Sequence, residues 1–227
     1  MRPRDIGQIA VGAALFEVSR RLARRPQVGR LEEDVFRAAN GASDRLRVPV
    51  RGVMQAGTFV TVPLAAGAAL AIGRRGLAER LAIAGTAAWF LARLVKPLAG
   101  RPRPALVLEG VRIRERIEGN LGWVSGHAAV STTLAALIAP ETRRPVRLVL
   151  AGIVATTGFG RMYVGAHLPL DIVGGVGVGL IVSGISRVGR GTTPSACLGS
   201  RSAACGSALP AARESPGCVP AEPAERR

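Results

Sequence analysis

The chain has 227 residues and carries 31 Lys and Arg residues against 15 Asp and Glu residues, a net charge of +16. Its mean hydropathy is nevertheless positive, at +0.27, because the charged residues lie between long apolar runs. Aromatic residues make up only 4% of the chain, too few to act as base-stacking platforms between the arginines, so we expect no nucleic-acid partner. Attraction to anionic lipids and a local phosphate site remain as explanations of the positive charge.

The first 50 residues are of mixed character and are predicted to form a peripheral segment. Residues 6–16 are apolar but supply only about half of the ~20 residues that a spanning helix needs. A basic run follows at 20–25, and no small-residue cleavage site of a signal peptide is present. We interpret this stretch as an amphipathic helix on the membrane surface and residues 31–46 as a second one, while a membrane crossing by residues 6–18 stays open.

Residues 51–190 contain apolar segments that are long enough to cross a bilayer or nearly so. Five such segments are found, at 53–72, 77–95, 124–139, 146–164 and 168–185. The fifth holds Gly174, Gly175, Gly177 and Gly179, small residues that let membrane helices pack closely. The pattern predicts an all-α, polytopic transmembrane bundle with five to six spanning helices, followed by a disordered tail at 191–227.

Arginine clusters in alternate loops predict the orientation in the membrane. One set of loops holds the clusters at 74–75, 143–147 and 187–190 and is expected to be cytoplasmic. The long segment 96–123 and the turn near His167 then face the opposite side, although that segment is also basic. With an Ala-, Arg- and Gly-rich composition typical of GC-rich genomes, this predicts an integral protein of a bacterial plasma membrane with its polar site on the extracytoplasmic side.

A set of polar residues occupies the outward ends of the predicted helices. Because successive helices alternate in direction, these residues fall on one membrane face. They are Lys96, Arg103, Ser125, Gly126, His127, Arg161, His167 and Asp171.

The residue types in this set suit phosphoryl transfer, in which fixed cations stabilise the charge of the transferring group. Lys96, Arg103 and Arg161 supply three cations. Ser125 is the expected N-cap of a helix, whose first backbone N–H groups, at Gly126 and His127, can bind an anion.

The chain has only two histidines, and each has a predicted role. Asp171 follows His167 by four residues, so its carboxylate can fix the imidazole tautomer and make His167 the nucleophile. His127 is then the general acid for the leaving oxygen. Taken singly, each of these residues could be an interfacial anchor, a packing residue or a cap. Nearby basic residues are interpreted as solvated or headgroup-facing, namely Arg101, Arg112, Arg114 and Arg116.

Three spaced motifs carry a resemblance to a known family: Lys96-x₆-Arg103-Pro104, Ser125-Gly126-His127 and Arg161-x₅-His167-x₃-Asp171. Together they resemble the signature of the type 2 phosphatidic acid phosphatase family. The resemblance implies a helical membrane phosphatase that acts on lipid phosphates or diphosphates through a phosphohistidine, with no metal and no cofactor. Val124 stands where the family usually has Pro, and Gly160 where it usually has Ser.

The resemblance implies roles for individual residues that agree with the assignment above. Phosphate would be bound by Lys96, Arg103, Ser125, Gly126 and Arg161, while His167, His127 and Asp171 would be catalytic. The candidate substrates are phosphatidic acid, phosphatidylglycerophosphate and polyprenyl phosphate or diphosphate.

Several other functions remain open at this point. A lipid phosphotransferase would use the same residues, and a transporter or scaffold for anionic lipids would use the cations alone. A vanadate-dependent peroxidase of the same broad superfamily is disfavoured by the spanning segments.

Overall fold

The computed structural model describes residues 3–116 and 119–188 of the chain, so the predicted tail at 191–227 lies outside the described residues. Within them the fold is entirely helical, apart from one isolated bridge between Pro102 and Leu121. The α-helices are α1 (Pro3–Ala23), α2 (Arg30–Asn40), α3 (Arg47–Met54), α4 (Thr61–Ala71), α5 (Arg75–Leu94), α6 (Gly126–Ile138), α7 (Arg144–Tyr163) and α8 (Pro169–Val188). Short 3₁₀ turns span Asp44–Leu46, Gln55–Gly57, Lys96–Leu98, Pro104–Leu106 and Ala139–Glu141.

Two helical segments in the described part of the chain are long and apolar enough to cross a membrane, Arg75–Leu98 and Pro169–Val188. The bent pair Asp44–Gly57 and Thr61–Ala71 makes a third if it is one broken span. The described part of the chain is therefore all-α with two to three candidate membrane spans, and the expected five to six spans are not confirmed. One reason is that α6 has only 13 residues, about 20 Å of helix against a hydrocarbon core of about 30 Å.

The first predicted span, 53–72, is broken instead of continuous. Its two halves meet at an angle of 71°. The hydroxyls of Thr58 and Thr61 both donate to the carbonyl of Gln55, at 2.8 and 2.6 Å, and so compete with helix continuation at that carbonyl. Gly57 lies against the backbone of His127, where an added Cβ would be 2.6 Å from the carbonyl oxygen. The break therefore brings the chain to the start of α6.

Helix α1 packs lengthwise and antiparallel along α8, one of the candidate spans. A Cβ on Gly12 would lie 2.9 Å from the carbonyl oxygen of Gly177, so the two backbones are in direct contact. Near the start of α1, Asp5 is 3.4 Å from Arg187. Nearer its end, Ser19 lies against α8, since a Cβ added to Gly174 would be 2.9 Å from Oγ of Ser19. The two helices thus extend over the same depth of the bundle.

Helix α6 lies at the centre and is contacted by α5, α7 and α8. Its first half is lined by small buried residues, including Ala128 and Ala129. Gly179 of α8 has no room for a side chain, because an added Cβ would be 2.6 Å from Cβ of Thr132. This close packing is the role expected from the glycines of the last apolar segment.

Candidate active site

A cleft of about 610 Å³ opens where α5 and α7 end and α6 begins. Six of the eight predicted site residues line it, together with residues that the sequence did not single out. The six are Lys96, Arg103, Gly126, His127, Arg161 and His167. The structure thus brings together the three motifs that are separated along the chain. A second cavity of about 640 Å³ lies between α1 and α2 and is lined mainly by the connecting loop at 25–30, without a histidine.

Backbone carbonyls hold the first two cations in place. The Lys96 ammonium donates to the carbonyls of Leu121, Gly122 and Val124, at 3.3, 3.2 and 3.0 Å. The Arg103 guanidinium donates to the carbonyl of Gly119 at 2.7 Å and to that of Ala166 at 2.9 Å. These contacts hold the Lys96 ammonium and the Arg103 guanidinium in fixed positions beside the cleft. That is the preorganisation that an anionic transition state requires.

The third cation, Arg161, is held more loosely. One terminal nitrogen lies 3.2 Å from the carboxylate of Glu115 and 3.8 Å from the sulfur of Met54. Its Nε is buried and has no hydrogen-bond partner among the described residues. Buried N–H groups are nearly always paired, and the predicted contact of Arg161 with phosphate, which would give this nitrogen a partner, stays a prediction.

Ser125 begins α6, as the sequence predicts, but it lies beneath the cleft. Its hydroxyl accepts a hydrogen bond from the backbone N–H of Ala128 at 3.4 Å, the contact of an N-cap. Its own N–H donates to the backbone carbonyl of Asp171 at 2.9 Å. The side chain is fully buried, so the predicted contact of Ser125 with phosphate stays a prediction, while Gly126 and His127 face the cleft.

His167 lines the cleft, and Asp171 lies behind it. Nδ1 of His167 is 3.4 Å from Oδ2 of Asp171, and the same oxygen accepts the backbone N–H of Leu168 at 2.9 Å. Pro169 opens α8, so Asp171 lies in the first turn of this helix and His167 lies two residues before its start. Gly122 packs on the carboxylate, since an added Cβ would be 2.8 Å from Oδ2. The pair predicted from the spacing is therefore formed.

His167 is nearly inaccessible, with 3% of its surface exposed. Burial lowers the pKa of its imidazole well below the usual 6.5, and the charges of Arg161, Lys96 and Arg103 lower it further. An imidazole in this environment is neutral at neutral pH. A neutral ring has the lone pair that a nucleophile needs.

The protonation of His167 can be measured directly because the chain has only two histidines. In His127→Gln, His167 is the single remaining histidine, so its ¹⁵N resonances need no assignment. We expect them to stay those of a neutral ring as the pH falls through 6.5, and to titrate near 6.5 in the denatured protein. Titration near 6.5 in the folded protein would contradict a buried, neutral nucleophile.

Two of the arginines interpreted as solvated or headgroup-facing have buried side chains instead, 6% exposed for Arg101 and 7% for Arg114, which corrects that interpretation. The Arg101 side chain contacts Glu32 and Asp171. The Arg114 guanidinium lies 4.1 Å from the ring centroid of Tyr163. Arg112 and Arg116 are exposed, as expected. Both buried arginines pair with residues about 50 to 70 positions away, so no local pattern could have identified them.

The cleft also contains residues that sequence reasoning missed. Glu115 contacts Arg161, and Phe59 and Trp89 form an aromatic wall with ring centroids 4.9 Å apart. The guanidinium of Arg93 lies 4.0 Å over the Trp89 ring. Phe59 reaches the cleft only because the first apolar segment is broken beside it.

The two departures from the family pattern leave the site intact. Val124 is fully buried, and Ser125 still caps α6. Gly160 lies where α7 meets α3, and an added Cβ would be 3.1 Å from Val50 and 3.2 Å from the sulfur of Met54. A serine at this position would require these neighbours to shift, so packing against α3 accounts for the glycine.

Comparisons with known proteins agree with this geometry. The sequence model of the PAP2 superfamily matches residues 77–192. LpxE of Aquifex aeolicus is 26% identical, with a TM-score of 0.64 over 72% of this chain and 98% of that one. The transmembrane PAP2-type phosphatidylglycerolphosphate phosphatase of Bacillus subtilis is 18% identical and shares the fold, with a TM-score of 0.62 over 81% of this chain and 98% of that one.

No curated protein sequence is significantly similar to the chain. The family model nevertheless covers half of the chain and all three motifs, and the two similar folds are superimposed over most of it. The chain therefore belongs to the PAP2 superfamily and has the fold of its membrane lipid phosphatases.

Proposed function

We propose that the protein hydrolyses a phosphate monoester or diphosphate of a membrane lipid through a phosphohistidine intermediate, without a metal ion. One observation carries this proposal: both histidines of the chain line a single cleft with three cations, and one of them is backed by a buried carboxylate. A transporter or scaffold for anionic lipids needs the cations but has no use for the His167–Asp171 pair.

In the first step His167 attacks the phosphorus through Nε2, since Nδ1 faces Asp171. The bond between phosphorus and the lipid oxygen breaks as the new N–P bond forms. Burial and the charge of Arg161 lower the pKa of His127 to about 3, so its ring is neutral before the substrate binds, and the proton that it passes to the departing oxygen is one that the phosphate group of the substrate brings. The lipid leaves as an alcohol from a monoester or as a monophosphate from a diphosphate. Lys96, Arg103 and Arg161 stabilise the charge on the three phosphoryl oxygens.

In the second step water attacks the phosphohistidine. His127, now neutral, accepts the proton of the water, the N–P bond breaks and inorganic phosphate leaves. His167 returns to its neutral state, with Asp171 having balanced the positive charge of the ring in between. Transfer to another acceptor would follow the same path with a hydroxyl in place of water.

A lipid is the proposed substrate because the cleft lies at the ends of candidate spans. Lys96 closes one of these and Asp171 belongs to the first turn of another. The aromatic wall of Phe59 and Trp89 gives an apolar chain a surface that continues from the cleft. The candidate substrates stay phosphatidic acid, phosphatidylglycerophosphate and polyprenyl phosphate or diphosphate.

We further propose that the cleft faces the extracytoplasmic side of a bacterial plasma membrane. Arginine-rich connections lie at the other end of the bundle, where Arg74 and Arg80 both contact Glu141. Loops rich in arginine are retained in the cytoplasm. The cleft at the opposite end is then outside.

The first test is phosphate release by the detergent-purified protein from the three candidate lipid classes, with a chelator of divalent cations present. We expect release from at least one class, and in H₂¹⁸O each phosphate should carry one ¹⁸O atom if water is the acceptor. The His167→Ala protein, purified in the same way, controls for contaminating phosphatases. Activity that disappears with chelator and returns with Mg²⁺ would overturn the metal-free proposal. The absence of phosphate release from all three lipid classes by a folded protein would overturn the phosphatase proposal.

A further inference from the structure

Behind the nucleophile, two buried charged side chains that the reaction described above does not use, Arg101 and Glu32, form a cluster with Asp171. Arg101 donates two hydrogen bonds to the carboxylate of Glu32, at 2.7 and 2.6 Å. The same guanidinium is 3.5 Å from Oδ1 of Asp171. Arg101 comes from the loop after α5, Glu32 from α2 and Asp171 from α8. Three elements distant in sequence thus meet at the side of Asp171 that faces away from His167.

The cluster is well shielded from solvent. The exposed fractions of the side chains are 6% for Arg101, 9% for Glu32 and 0% for Asp171. A buried ion pair contributes little net stability compared with apolar packing of the same volume, because both charges lose their hydration. Stabilising the packing of α2 on the bundle therefore explains this cluster poorly. Orienting the Asp171 carboxylate behind His167 explains it better.

The contacts fix the carboxylate of Asp171 from several sides. Oδ2 serves His167 and the N–H of Leu168, while Oδ1 faces Arg101. Glu32 also accepts the backbone N–H of Leu170 at 3.0 Å, which ties it to the helix turn that carries Asp171. Glu32 therefore holds both Arg101 and the start of α8 relative to each other.

Arg101 contacts Glu32 more closely than it contacts Asp171. Its two short, bidentate bonds go to Glu32 and its single long one to Asp171, so most of its charge is compensated by Glu32. Without Glu32, Arg101 would turn fully onto Asp171 and weaken that carboxylate as an acceptor for Nδ1–H of His167. Without Arg101, two buried carboxylates would lie unpaired beside the nucleophile.

We propose that Glu32 and Arg101 are positioning residues for the reaction, acting through Asp171 on the tautomer and orientation of His167. The proposal rests on the proposed function of His167 as nucleophile. Neither residue lines the cleft, so their replacement should lower the rate of the chemical step and leave substrate binding nearly unchanged.

The test is Glu32→Gln, with Glu33→Gln as the matched control. Glu33 is the next residue of α2, and its ion pair with Arg37 lies on an exposed surface. We expect Glu32→Gln to lower kcat by about 10- to 100-fold, the order of loss that small misplacements of a catalytic group produce, with KM within about 2-fold. Glu33→Gln should match the unaltered protein. Equal kcat values for the two variants would overturn the proposal, as would a rise in KM that accounts for the loss.

A second readout is independent of turnover. In the His127→Gln background, Glu32→Gln should move the Nδ1–H proton resonance of His167 upfield, because its hydrogen bond to Asp171 weakens. An unchanged resonance would exclude action through Asp171, even if no lipid of the panel is a substrate. Should Glu32→Gln fail to fold, Arg101→Lys keeps the charge but loses the bidentate geometry. It should show the same loss in kcat with KM unchanged, and an unaltered kcat would overturn the proposal.

Discussion

Replacing His167 by alanine should lower phosphate release by about 10⁴-fold or more, because the covalent path is lost and only the cations of the cleft remain. The expected loss is the largest of any single substitution in the protein. The measurement is turnover of the lipid that ranks first in the substrate panel. Folding is checked by the midpoint temperature of thermal unfolding of the variant in detergent. This temperature should change little if water from the cleft fills the space that the imidazole leaves.

The same variant decides whether the intermediate is covalent. Brief incubation with ³²P-labelled substrate and rapid denaturation in alkali should leave label on the unaltered protein, since phosphohistidine survives alkali and is hydrolysed in acid. His167→Ala should carry none. Label that persists in His167→Ala but is absent from a His127 variant would show that the two histidines have exchanged roles.

Replacing His127 by alanine should lower the turnover of a lipid phosphate by about 10²- to 10⁴-fold, the usual contribution of general acid–base catalysis. The size of the effect should depend on the leaving group. An aryl phosphate leaves without a proton, so its first step needs no acid, while water attack on the phosphohistidine still lacks its base. We therefore expect a rapid burst of released phenolate followed by slow turnover.

The burst is the sharper part of this second prediction. Its amplitude should approach one equivalent of phenolate per protein molecule, and labelled phosphoenzyme should accumulate in parallel. An equal loss for lipid and aryl substrates, without a burst, would show that His127 binds phosphate and does not transfer protons. Gly57, whose backbone lies against that of His127, is unchanged in this variant, so the start of α6 should keep its position.

The parts of the site that could be predicted from sequence are those fixed by local rules. Ser125 caps a helix because its hydroxyl reaches the N–H three residues on. His167 and Asp171 meet across the start of α8, because they are only four residues apart and Pro169 is suited to begin the helix between them. Helices α5 to α8 begin and end close to the predicted apolar segments, since loss of hydropathy marks both ends of such a segment.

The parts that could not be predicted depend on contacts between distant residues. The hydropathy of the apolar run at 53–72 does not predict its bend. The bend depends on hydrogen bonds from two threonine hydroxyls to the carbonyl of Gln55, and hydropathy does not report such bonds. Arg101 is one of several arginines in a basic loop, and only the fold brings it to Glu32, 69 residues earlier. From composition alone, the arginines of such a loop are predicted to face the lipid headgroups. In the structure, packing buries some of these arginines in the interior.

The antiparallel contact of α1 with α8 has a practical consequence for studying topology. Because Asp5 meets Arg187 at one end of the bundle while Arg24 contacts Leu98 at the cleft end, the first turn and the last turn of α1 lie at opposite ends. An impermeant thiol reagent should then discriminate between cysteines introduced at Arg4 and at Gln27 in intact cells. The sidedness of the bundle can therefore be determined from two engineered positions within the first 30 residues of the chain.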